Sequence, residues 1–316
     1  MPLDLIVLTT VPRGRISRAY RSLEDFVRGR PNGTSPVTRS LLAGLSKQDA
    51  VSWSHIENYT GQRATTIHVV HNPRAARVAI EAKRKGLCDR LIVGPAIVVD
   101  VHDSDNILLS QEIDAVIVAS DLVRDIFEAA EPLLVGRVQV WPAGVDPEYW
   151  KPAAAERRKV LIYDKRRPVD SDAIDGFLRS AGLDTIVLRY GSYALSDYKA
   201  ALNEAFACVV LGGSESQGIA LAEAWAMNVP TFVSRYDFDK ATQTRCSAAP
   251  NLTDQTGAFW DDEDQLASLL TDVSRYRPRQ WIMENGTDRL SAEALIRIAL
   301  PRAKAGQIDP QHPGEA

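Results

Sequence analysis

The segment Phe206-Ala207-Cys208-Val209-Val210-Leu211 constrains the fold more than any other, because it is apolar from end to end with no polar residue alternating through it. A strand with one face in water alternates apolar and polar side chains. One that is apolar throughout needs cover on both faces, which a parallel sheet flanked by helices supplies. Gly212 and Gly213 end the run, and from Gly218 onward Ala220, Leu221, Ala224 and Met227 recur at helical spacing. The unit is strand, glycine-containing turn, helix. Similar apolar runs alternate with helical patterns along most of the chain, so the expected class is α/β with parallel sheets.

In the first half, strands are expected near residues 5–8, 50–53, 66–70, 90–93, 115–118 and 138–140. The clearest helices between them are 73–85, opened by Asn72 before Pro73, and 122–130, with Ser120 and Asp121 as cap candidates. In the second half, strands are expected at 159–163, 185–189, 207–211 and 231–233, with helices at 171–180, 196–204 and 218–227. Segments 262–274 and 291–304 are helical by pattern. Residues 141–158 are rich in proline, glycine and alanine, as a linker between two units would be. A length of 316 residues suits two such units, each of roughly 150 residues and large enough for its own core.

Charge and cysteine content exclude several classes. With 37 basic and 41 acidic residues the chain has no bulk charge to bind nucleic acid. Cys88, Cys208 and Cys246 are widely spaced and odd in number, so neither a disulfide frame nor a zinc site follows. The longest uncharged apolar run, 91–99, is too short to span a bilayer, and the start of the chain lacks a basic-then-apolar secretion signal. A cytoplasmic protein is expected.

The chemistry concentrates around Gly212-Gly213-Ser214-Glu215-Ser216-Gln217-Gly218-Ile219 and Glu223. Backbone N–H groups of Gln217, Gly218 and Ile219 fall at a helix start, where unpaired donors attract phosphate, with Ser214 in the same loop. Glu215 before the helix and Glu223 inside it would stand roughly 8 to 12 Å apart at about 1.5 Å rise per residue, with room for a diphosphate between them. Each carboxylate could then accept hydrogen bonds from vicinal hydroxyls. The plainer alternative is a solvated acid before the helix and an ordinary surface glutamate within it.

Strand, small-residue loop, Glu-x-x-Gly, small helix with Glu223-Ala224, then Val229-Pro230 and a second apolar strand resembles the donor site of retaining GT-B glycosyltransferases of family four. Trp141-Pro142-Ala143-Gly144-Val145-Asp146 is similar to the interdomain crossing of that family, and Val118-Ala119-Ser120-Asp121 to its last N-terminal strand and turn. The resemblance implies a GT-B fold, two Rossmann-like doubly wound parallel-sheet lobes facing across a cleft. It places an acceptor-binding lobe at 1–142, a hinge at 143–158, a nucleotide-sugar lobe at 159–287, a helix crossing back to the first lobe at 288–305 and a disordered tail at 306–316. It implies transfer of a hexose from a nucleotide-diphosphate sugar, UDP- or GDP-linked, to an acceptor hydroxyl, with retention and without a metal or other cofactor, in polysaccharide or glycoconjugate synthesis. The acceptor would be a sugar, polysaccharide or lipid-linked molecule, with no nucleic-acid partner and with peripheral association at the inner membrane face left open.

Residue roles follow the same resemblance. Lys165 and Arg166, with Arg167 as substitute, occupy the place of the basic pair that meets the leaving diphosphate, although the cluster is more compact than the commoner spacing. Glu215 would hold sugar hydroxyls and Glu223 the ribose. Tyr193 either stacks on the base or packs on the following helix. In the first lobe, Gly33 lies in the loop before an expected helix at 36–45, where a plain turn is the alternative. Arg15, Arg18 and Arg21 would share a helical face that attracts an anionic acceptor or membrane, or is merely solvated. His102 is a candidate polar contact to sugar or acceptor, with His68 and His71 as competitors. Asp103-Ser104-Asp105 is set aside as a metal site because it falls in a loop of the wrong lobe. Two other readings stay open, a sugar-nucleotide epimerase or hydrolase of the same fold and a catalytically degenerate nucleotide-sugar-binding or regulatory module.

Overall fold

The computed structural model describes residues 3–9, 35–154, 156–165, 169–240 and 243–300. Arg15, Arg18, Arg21, Gly33, Arg166, Arg167 and the tail from Gly306 lie outside the described residues. Strands β1 (Asp4–Leu8), β2 (Ser52–Ile56), β3 (Ala64–Val69), β4 (Cys88–Val93), β5 (Ala115–Val118) and β6 (Val138–Val140) form a parallel sheet ordered β2-β1-β3-β4-β5-β6. Strands β7 (Lys159–Asp164), β8 (Asp184–Arg189), β9 (Ala205–Leu211) and β10 (Thr231–Ser234) belong to a second sheet. A short antiparallel ribbon, β11 (Phe238–Asp239) with β12 (Thr244–Arg245), precedes its edge strand β13 (Gly257–Trp260). The second sheet is also parallel, ordered β13-β10-β9-β7-β8.

The apolar run that announced the fold is the middle strand of this second sheet. Ala207, Val209 and Leu211 of β9 pack into one buried cluster and Cys208 and Val210 into another, which is the two-sided burial an unalternating strand requires. In each sheet the first strand lies inside, β1 between β2 and β3 and β7 between β8 and β9. The chain leaves that strand in opposite directions, which opens a crevice at the carboxyl ends where α/β folds bind ligands.

Helices α1 (Pro36–Leu45), α2 (Pro73–Arg84) and α3 (Asp121–Ala130) follow β1, β3 and β5. α4 (Ser171–Ser180), α5 (Leu195–Glu204) and α6 (Ile219–Ala226) follow β7, β8 and β9, and α7 (Glu263–Thr271), α8 (Pro278–Asn285) and α9 (Asp288–Ala299) close the described chain. Asn72 caps α2 as its sequence indicated, accepting the Arg74 N–H at 2.9 Å with Pro73 in the first helical position. Ser120 departs from expectation: it precedes α3 but makes no capping bond, and its buried Oγ finds no partner among the described residues.

Other boundaries moved for identifiable reasons. β2 spans Ser52–Ile56 instead of 50–53, because it is an edge strand half in solvent and its polar residues hide the pattern. β13 and α8 were not anticipated; β13 is buried only at Gly257 and Trp260, which follows no strand period, and α8 is an eight-residue helix with only Pro278 and Ile282 buried. The helix read at 291–304 starts at Asp288 under a Thr287 cap that accepts from Leu290, and ends at Ala299, because Leu300 precedes a proline.

Two chain crossings join the halves side by side. The Val145 N–H donates to Gly286 O at 2.9 Å and the Asp288 N–H to Val145 O at 2.9 Å. Between them Gly144 approaches so closely that a Cβ there would stand 2.3 Å from Thr287 O. α9 then lies against the first sheet, with Ala292, Leu295 and Ala299 buried among Leu5, Val7, Leu41 and Leu45. The Trp141 indole donates to Ser291 O at 2.8 Å and the Thr66 hydroxyl to Ala299 O at 2.8 Å.

Candidate functional site

The crevice of the second sheet gathers residues from three strand ends. Lys165 follows β7 and is fixed by its N–H, which donates to Leu211 O at the end of β9 at 2.9 Å. Its ammonium forms an ion pair with the Glu215 carboxylate and stands 5.1 Å from the centre of the Tyr190 ring, beyond the end of β8. The Glu215 N–H donates to Ser247 O at 2.8 Å, which anchors the loop between β9 and α6, while Ser214 remains exposed. Sequence reasoning gave Lys165 and Glu215 separate duties and missed that they neutralise each other in the free protein. A bound anion would compete with Glu215 for that ammonium.

α6 opens without a side-chain cap. Gly218 takes the left-handed conformation (φ 75°, ψ 58°), and the backbone N–H groups of Gln217, Gly218 and Ile219 donate to no described acceptor. Unpaired donors and the positive end of the helix dipole therefore face the crevice beside Lys165.

Glu223, a turn further in, is 8% exposed, and no described residue donates a hydrogen bond to its carboxylate. Burial pushes its pKa up from 4.5 to about 8, against the opposing pull of the Arg39 and Lys165 charges. At neutral pH the group is largely a protonated acid, able both to donate to and to accept from a hydroxyl. Arg39 comes from α1 of the first half and was missed; its position one turn past the Ser35-Pro36 helix start was the available signal.

The other predicted residues are placed differently. The Gln217 side chain is committed to the crossing, accepting from the Ala143 N–H at 3.0 Å and donating to Ala143 O at 2.6 Å, so only its backbone faces the crevice. Of the two roles open to Tyr193, the structure shows packing. Its hydroxyl donates to Tyr163 at 2.9 Å, its ring lies 5.9 Å from that of Tyr198, and burial pushes its pKa up to about 12. Tyr190, 47% exposed over Lys165, is the more accessible aromatic of that loop. His102 is exposed and bonds Asn106 within its own turn at 2.9 Å, in a surface loop where Arg77 pairs with Asp105 at 2.6 Å. His68 is buried in the sheet, its Nε2 2.7 Å from Gly94 O, with burial pushing its pKa down to about 4. His71 is half-buried beyond the end of β3, its pKa lowered by burial and by the charge of His55.

Among the described residues no helix is long and apolar enough to cross a membrane. No protein-family model and no curated protein sequence matches the chain. Solved structures do. The apo form of the lipopolysaccharide outer core galactosyltransferase WaaB aligns with TM-score 0.51 at 11% identity, over 93% of this chain and 98% of that one. HepE of Anabaena, solved with UDP and glucose, aligns with TM-score 0.51 at 11% identity, over 94% and 99%. A UDP-forming α,α-trehalose-phosphate synthase from Burkholderia xenovorans aligns with TM-score 0.52 at 10% identity, over 93% and 98%. These neighbours are GT-B glycosyltransferases, and the chain has the GT-B fold.

Proposed function

We propose that the protein is a glycosyltransferase that moves a hexose from a nucleotide-diphosphate sugar to an acceptor hydroxyl, with retention of configuration. One observation carries the reading: Lys165 and Glu215 meet beside the uncapped start of α6, at the point where the strand order of the second sheet reverses. A cation, a row of free N–H donors and two carboxyl groups a helical turn or two apart suit a diphosphate flanked by hydroxyl-bearing rings. That neighbours of this fold include one solved with UDP and glucose supports the same substrate class.

In this mechanism the diphosphate lies against the N–H groups of residues 217–219 and draws Lys165 away from Glu215, with Arg166 and Arg167, next in the sequence, as further cations. Glu215, released, accepts hydrogen bonds from the hydroxyls of the transferred sugar, and Glu223 bonds the ribose. The bond between the anomeric carbon and the leaving phosphate oxygen breaks as the acceptor oxygen bonds to that carbon on the same face. The acceptor's proton passes to the leaving phosphate oxygen. Charge building on the departing nucleotide is met by the helix start, which is already in place, and by Lys165, which binding of the donor has already drawn to the diphosphate. Approach of the two halves over the crevice would exclude water and limit hydrolysis.

The test is calorimetric titration of UDP, GDP and ADP into the wild type and Glu223→Ala without added metal. One nucleotide should bind, and lose about 1–3 kcal/mol in the variant, the cost of removing a hydrogen-bond partner. Absence of binding by all three would refute the reading.

A further inference from the structure

We propose that the crevice of the first sheet, at His55, His71 and Thr9, binds an oxyanion, so that the acceptor carries a phosphate or carboxylate group. The word acceptor rests on the glycosyltransferase reading above; the binding of an oxyanion does not.

The place is the counterpart of the donor crevice. β1 lies where the order of the first sheet reverses, and the parallel register sets His55 of β2 and His68 of β3 level with Val7 of β1. Just past the strand end, the Thr9 hydroxyl and His55 Nε2 are hydrogen-bonded at 2.8 Å, which holds the His55 ring at the mouth. His71 stands between the end of β3 and the start of α2, a twelve-residue helix with no acidic residue in its first turn. The dipole of that helix favours negative charge at this end, and its Asn72 cap satisfies only the Arg74 N–H.

The histidines differ in what they are free to do. His68 is held through Nε2 by the Gly94 carbonyl and stays neutral inside the sheet, its buried Nδ1 meeting no partner among the described residues. His71 makes no hydrogen bond to any described residue, and the group that acts on it electrostatically is another imidazole, His55. A half-buried imidazole that meets no hydrogen-bonding group of the described residues has lost part of its hydration without return. A carboxylate neighbour would be the ordinary remedy, and among the described residues the charge that acts on His71 is that of His55. An oxyanion would accept its N–H and favour the charged form of the ring, opposing the burial that lowers its pKa.

The experiment is an NMR titration of the five histidine rings of the full chain with inorganic phosphate, and separately with acetate, at constant ionic strength set by chloride. The His55 and His71 signals should shift saturably and the His71 pKa should rise, while the exposed His102 ring stays unmoved. Saturation by phosphate assigns a phosphorylated acceptor and saturation by acetate alone a carboxylated one. His71→Gln and His55→Gln should each weaken that binding about tenfold, the scale of a hydrogen bond to a charged group. If His55 and His71 respond to neither anion, or drift linearly together with His102, the proposal is wrong, and this holds without any variant. Nucleotide calorimetry on the same sample separates the two readings. UDP, GDP and ADP all failing to bind while the histidines saturate would sink the acceptor role alone. A nucleotide binding while the histidines stay silent would sink the oxyanion site alone.

Discussion

Glu223→Gln should make the protein more stable, and the gain should grow with pH. Burial holds the folded-state pKa of Glu223 at about 8, whereas the unfolded chain titrates it near 4.5. Between those values the folded state keeps a proton that the unfolded state has lost, so raising the pH draws the wild type toward unfolding by up to about 1.4 kcal/mol per pH unit. Integrated from 4.5 to about 8 the penalty reaches about 5 kcal/mol, of which about 3 kcal/mol is present at pH 7. Glutamine keeps the shape and cannot ionise, so the variant escapes the penalty. Any fixed cost of seating its amide displaces the whole curve and leaves the slope untouched. Urea denaturation in steps from pH 5 to 9 would measure it, with tryptophan fluorescence as a local probe because Trp225 of α6 packs 5.5 Å from Trp281. The stability difference should climb through pH 5–8 and then level off. Parallel wild-type and variant curves across that range would show that Glu223 ionises freely in the fold and would refute the desolvation argument.

Two further perturbations test the junction behind the crevice. Gln217→Ala leaves the Ala143 N–H and carbonyl buried without partners, and should cost about 2–4 kcal/mol in thermal or denaturant unfolding. An unchanged midpoint would mean that the paired amide contributes nothing. Gly144→Ala drives a methyl group onto the Thr287 carbonyl, backbone against backbone, and should cost about 2–3 kcal/mol. It should also release the amides of Val145 and Asp288 to hydrogen exchange, and full retention of their protection would show that the crossings tolerate separation.

What the sequence disclosed was whatever a local pattern carries. β9 was readable because both of its faces are buried, and the start of α6 because two glycines end the strand and Gly218 opens the helix in the left-handed conformation. β13 was not, since only its two end residues are buried, and β2 was read two residues early because it lies half in solvent. The same division runs through the candidate site. Glu215, Glu223 and Lys165 follow strand ends or open a helix, and each position is legible from its own neighbourhood. Partnerships are not local. Gln217 and Ala143 lie 74 residues apart, Lys165 and Glu215 sit on separate loops, and Arg39 reaches Glu223 from the other sheet's side of the molecule. The contacts of Tyr193 with Tyr163 and Tyr198, and of Tyr190 with Lys165, are likewise set by residues outside their own loop.

α6 is also the element through which the second half meets the first. Ile219 packs against the buried clusters of both halves, Gln217 grips the backbone of Ala143 in the crossing, and Glu223 lies within the field of Arg39. A rotation of the halves about the Gly144 crossing would therefore move the helix with the free N–H groups relative to three first-half contacts. Rotation that withdraws Arg39 would remove one of the two charges that favour ionised Glu223 and admit water in its place. The ionisation of Glu223 and the relative position of the two halves are thus linked by the same contacts, and any ligand that bonds Glu223 acts on both at once.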